Sequence, residues 1–67
     1  MKLDELRRIR LANHLTQNQL AQKLGYSRAA YSKREIGLQR FDVNDLKILK
    51  HELRLSSEQL DDIFFED

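Results

Sequence analysis

Apolar residues return every three or four positions along most of this chain, and polar breaks that read as helix ends separate the stretches that keep this rhythm. Leu3, Leu6 and Ile9, with Arg10 beside them, share one face of a first helix over about residues 2–13. Asn13 and His14 suit its end, because Asn tolerates the left-handed conformation. Leu20, Ala21 and Leu24 form the stripe of a second helix, 17–24. Thr16 opens it: its hydroxyl accepts from the Gln19 amide while the Gln19 side chain reaches back, a capping box. Gly25 ends it, since glycine takes a positive φ without steric penalty. Ser27 caps a third helix, 28–36, which Gly37 closes. Asp42 caps a fourth, 43–53, with Val43, Leu46, Leu49 and Leu53 at helical spacing. Ser56 and Gln59 repeat the capping box before a fifth, 57–64, striped by Leu60, Ile63 and Phe64. No repeat, linker or low-complexity stretch interrupts them. The expectation is an all-α chain, one compact five-helix domain over 1–67.

Only Gly25 and Tyr26 stand between the second helix and the cap of the third. Two short helices joined so tightly cannot lie antiparallel. They cross steeply, as in a helix-turn-helix.

Composition narrows the function. Sixty-seven residues build one small core and leave little room for a deep enzyme pocket. There is no proline and no cysteine. Disulfides, thiolate zinc sites and cysteine nucleophiles are therefore excluded, and a cytoplasmic setting fits. No apolar run is long enough to span a membrane, and MKLDELRRIR lacks the apolar core of a signal peptide. His14 and His51 are isolated, and no glycine-rich phosphate loop is present. No metal, cofactor, small-molecule ligand or catalytic activity is expected. Asp61, Asp62, Glu66 and Asp67 read as a solvated acidic end.

The net charge of +1 hides a division. Residues 1–40 carry nine Lys and Arg against three acids, and residues 41–67 carry three against eight. A basic first half suits a phosphate backbone, and an acidic tail keeps the opposite side away from it. Two ordinary solvated surfaces that happen to differ would give the same division.

Thr16–Gly37, TQNQLAQKLGYSRAAYSKREIG, resembles the helix-turn-helix domain of phage repressors, Cro proteins and related bacterial regulators, the XRE group. The matching residues are Thr16-Gln17, Leu20-Ala21, Leu24-Gly25, Ser27, Tyr31 in the usual Ile/Val slot, and Glu35 followed two places on by Gly37. The likeness extends upstream through Leu6, Ile9 and Arg10 and downstream through Leu46–Leu60. Ala21 has a physical reason to be small, since the third helix crosses over it. Leu20, Leu24, Tyr26 and Tyr31 lock the helix pair to the core. The sequence departs from the family at three places. Arg34 replaces an apolar residue, its stem laid across the core edge and its head reaching water or phosphate. Leu38 stands where a basic or polar residue often meets DNA, and Phe41 replaces a proline.

The resemblance implies a transcriptional regulator whose third helix reads the major groove of a double-stranded DNA operator. It implies base contacts at Arg28, Ala29, Ser32 and Lys33, and a structural ion pair between Arg10 and Glu35. Gln17 and Ser27, at helix N-termini, and Arg40, just past the third helix, are the phosphate candidates. Proteins of this kind bind as dimers. A Cro-like chain with no further domain would take its homodimer contact from its C-terminal half, from Leu38, Phe41, Phe64 or Phe65. Phe64 and Phe65 cannot both face one core, being about 100° apart on a helix. The alternative is an antirepressor or antitoxin-type module that docks on a partner repressor through the third or fifth helix. The alanines of the third helix, the apolar Ile36 and Leu38 beside it, and the acidic tail lean that way.

Overall fold

Each helix after the first begins on a side chain that satisfies its first free amides. The computed structural model describes residues 1–65. It holds α1 (Leu3–Ala12), α2 (Gln17–Leu24), α3 (Arg28–Glu35), α4 (Val43–Glu52) and α5 (Ser57–Phe64), with no strand among the described residues. Thr16 and Ser56 form full capping boxes with Gln19 and Gln59. Asp42 does the same with Asp45, and the Ser27 hydroxyl accepts from the Ala30 amide. Lys2 opens α1 without a side-chain cap; its own amide donates to the Ile63 carbonyl at 2.8 Å, tying the start of α1 to α5.

The ends of the first four helices are set by residues that take positive φ. Gly25 (φ 80) closes α2. Ile36 is the C-cap of α3, so that helix stops one residue sooner than its pattern suggests, and Gly37 (φ 88) turns the chain away. A side chain at position 37 would meet Leu3 as well as strain the backbone. The left-handed residue after α1 is His14 (φ 58), not Asn13, whose side-chain amide donates to the Ile9 carbonyl instead. Leu53 caps α4, and Arg54 (φ 54) takes the same role there.

The core joins all five helices through Leu6, Leu20, Ala21, Tyr31, Leu49, Leu53, Leu55, Ile63 and Phe64. Ala21 is fully buried where α2 packs on α3, which requires a small side chain at the crossing. Phe41 wedges between Tyr31 and Phe64, with ring centroids 6.1 and 5.8 Å away. Val43 does not join the stripe of α4 and is 70% exposed. The buried positions of that helix are Asp45 and Leu49. Val43 precedes Asp45 by two residues, about 200° around the axis, and so faces water. No helix among the described residues is long and apolar enough to cross a membrane.

Candidate nucleic-acid interface

α3 is split lengthwise by its sequence. Tyr31 and Glu35, four residues apart, are buried against α1 and α2. Ala29 and Lys33 point away from that side and are exposed; Arg28, at the start of the helix and only about 20° around it from Glu35, is exposed at the edge of the packed side, and Ser32 is half-buried. Among the described residues neither Arg28 nor Lys33 enters an ion pair, so both ammonium and guanidinium heads are open to an incoming anion. Arg40 follows on the loop after α3 and is exposed as well. Ser27 keeps its hydroxyl on the helix cap, accepting from the Ala30 amide at 3.1 Å, and its hydroxyl proton remains to be donated.

A polar network under this face fixes its angle. Arg10 Nε donates to Glu35 Oε2 at 2.9 Å and Arg10 Nη2 to Oε1 at 3.1 Å, a two-pronged pair. Arg10 Nη1 also donates to the Leu15 carbonyl at 2.8 Å. The Tyr31 hydroxyl donates to Glu35 Oε2, and Gln17 Nε2 donates to Oε1 at 3.1 Å. One carboxylate thus gathers α1, α2 and α3. Burial pushes the Glu35 carboxyl up, but the hydrogen bonds from Arg10, Tyr31 and Gln17 outweigh it and hold it below the usual carboxylate value. The hydrogen bond to Glu35 raises Arg10 further against the opposing effect of burial. Burial first, then the bond to Glu35, pushes the Tyr31 hydroxyl far up, so it stays a donor.

Gln17 therefore sits at the first turn of α2 with its side-chain amide nitrogen donating to Glu35. That tie was invisible in the sequence, because residues 17 and 35 meet only through folding. Sequence reading also missed the second buried carboxylate. Asp45 accepts from the Tyr26 hydroxyl at 2.7 Å and from the Asp42 amide at 3.0 Å. The bond to Asp45, followed by burial, raises Tyr26. The D-x-x-D spacing at Asp42 was the available signal for half of this arrangement. Arg34 does not reach outward. Its guanidinium lies 3.9 Å over the Tyr26 ring, Nη1 donates to the Ala30 carbonyl, and its buried Nε has no partner among the described residues.

The apolar candidates separate. Phe64 is buried and Phe41 half-buried, each packed on the other within the chain, so neither is offered as a free surface side chain. Physically, the Phe41 ring supplies the apolar partner that draws Phe64 inward. Phe65 is 66% exposed, as are Ile36 at 66% and Leu38 at 71%. Phe65 sits at the edge of a shallow groove floored by Phe41, Leu46 and Phe64. Glu66 and Asp67 of the acidic end lie outside the described residues.

A family model described as helix-turn-helix matches residues 6–60, most of the chain from α1 into α5. No curated protein and no solved structure matches it.

Proposed function

The chain belongs to the helix-turn-helix family of DNA-binding transcriptional regulators, the phage repressor and Cro kind, and from this we propose that α3 is its operator-reading helix. Arg28 grips a guanine through O6 and N7, Lys33 contacts a second base edge, Ala29 touches a thymine methyl and Ser32 hydrogen-bonds a base. Gln17, Ser27 and Arg40 hold phosphates and set the register. The observation that carries the reading is the division of α3: its inner face is locked by Glu35 and Tyr31, while Lys33 stands exposed on its outer face and Arg28 stands exposed at its N-terminal end. A good bidentate contact at Arg28 would discriminate by about 1–3 kcal/mol. A single domain reads few base pairs. Two copies on half-sites about 34–36 Å apart would read an inverted repeat, with Phe65 and Leu38 as candidate contacts between copies.

The test is selection of bound duplexes from a randomised pool, run with the wild type and with Arg28→Ala. An enriched inverted repeat that weakens at one base position in the variant supports the proposal. No enrichment at low salt removes sequence reading by this protein alone.

Ile36 and Leu38 favour a second reading, since two large apolar side chains stand exposed beside α3. In it the third helix docks on a partner repressor and modulates that partner's DNA binding. Salt separates the two: phosphate binding gives a log–log slope near −0.9 per contact, and an apolar docking surface gives little.

A further inference from the structure

His14 and Arg54 are the residues other than glycine that take positive φ among those described. They hold equivalent places. The His14 amide donates to the Leu11 carbonyl at 2.9 Å, and the Arg54 amide to the His51 carbonyl at 3.3 Å. The next residue, Leu15 or Leu55, closes on a carbonyl five positions back, that of Arg10 or Lys50. A hydroxyl then caps the following helix. Glycine is the residue this geometry suits, and an L side chain is strained there. Among the described residues, neither the His14 nor the Arg54 side chain makes a hydrogen bond or ion pair. The local fold supplies no reason for either side chain.

The two differ in their surroundings. His14 lines a cleft between the α1–α2 turn and the start of α3, together with Arg10, Gln17, Asn18 and Arg28. Arg10 comes from α1 and is tied to Glu35 and the Leu15 carbonyl; Arg28 comes from α3; Gln17 and Asn18, from α2, are neutral. Among the described residues no carboxylate lines this cleft. Arg54 stands instead between α4 and α5, in the acidic half of the chain. We propose that this cleft seats a DNA phosphate and that His14 is a further backbone contact, protonated when bound. The inference rests on the DNA-binding reading above. Its consequence is a linkage: phosphate favours the charged ring, so binding takes up a proton. Affinity then rises as pH falls through the range in which histidine gains charge.

The experiment measures binding of a short random-sequence duplex by the full chain across a salt series, at about pH 6 and about pH 8. His14→Gly, His14→Lys, Arg54→Gly and His51→Gln are compared, each verified as folded by circular dichroism. The wild type should show a salt slope steeper by up to about 0.9 at the lower pH. His14→Gly should lose that difference and bind about threefold more weakly at the lower pH in moderate salt. His14→Lys should keep the steep slope at both pH values. Arg54→Gly, which relieves the same backbone conformation, and His51→Gln should behave as the wild type. A pH-dependent slope that survives in His14→Gly overturns the proposal, as does a wild type whose slope ignores pH. Failure of the folded wild type to bind any duplex at low salt would remove the DNA reading and this inference with it.

Discussion

Arg10 and Glu35, twenty-five residues apart in sequence, meet in a buried two-pronged ion pair that fixes α1 to the inner face of α3. Removing one partner leaves the other charge buried and alone. Arg10→Met should therefore destabilise the fold by about 3–5 kcal/mol. The double variant Arg10→Met/Glu35→Leu should recover much of that loss, because no charge is then stranded. Urea unfolding of the wild type and the two variants checks this; a double variant no more stable than Arg10→Met would contradict it.

The same carboxylate sets an acid limit. Glu35 is held below its ordinary value of 4.5 in the folded state. Its contribution is then fully present above the unfolded value and is lost as pH falls through the lower, folded one. Melting temperature should drop on acidification below about pH 4.5. In Glu35→Gln this part of the drop should vanish, and the variant should be less stable at neutral pH. Thermal melts of both proteins across the acid range measure the difference.

Tyr26 and Asp45 form a second, part-buried link, between the turn before α3 and the first turn of α4. Tyr26→Phe removes one hydrogen bond and should cost about 1 kcal/mol. Asp45→Ala removes that bond and the capping interaction together, and should cost more, about 2 kcal/mol. A double-mutant cycle should show coupling of about 0.5 kcal/mol or more. Strict additivity would mean that the hydroxyl and the carboxylate do not cooperate.

At the left-handed positions glycine should help. His14→Gly and Arg54→Gly each relieve about 1–2 kcal/mol of strain and lose about 0.5–1 kcal/mol to the freer unfolded chain. A net gain of about 0.5–1 kcal/mol in each is expected. Chemical denaturation reads it directly. A loss at either position would show that the side chain makes a stabilising contact.

The legible parts of this fold were the local ones. Thr16, Ser27, Asp42 and Ser56 announce helix starts because a cap bonds amides only two or three residues on. Gly25 and Gly37 announce ends for a similar reason. What escaped depends on residues that folding brings together. Val43 fits the spacing of Leu46 and Leu49, yet α4 turns Asp45 inward, since Tyr26 waits there to pair with it. Gln17 gives no sequence sign of its tie to Glu35, and Phe41, outside every helical stripe, packs between Tyr31 and Phe64. The outward residues of α3 came from the family pattern, because exposure alone does not distinguish a reader of bases from an ordinary surface side chain.

The two tyrosine–carboxylate pairs, one buried and one part-buried, give the protein an optical signal of its own. It has two tyrosines and no tryptophan. Both hydroxyls donate to carboxylates, Tyr31 to Glu35 at the α1–α3 seam and Tyr26 to Asp45 at the start of α4. A carboxylate acceptor quenches tyrosine emission, so unfolding should brighten the protein instead of dimming it. With either tyrosine changed to phenylalanine, the remaining ring reports the loss of one pair alone, without any attached dye.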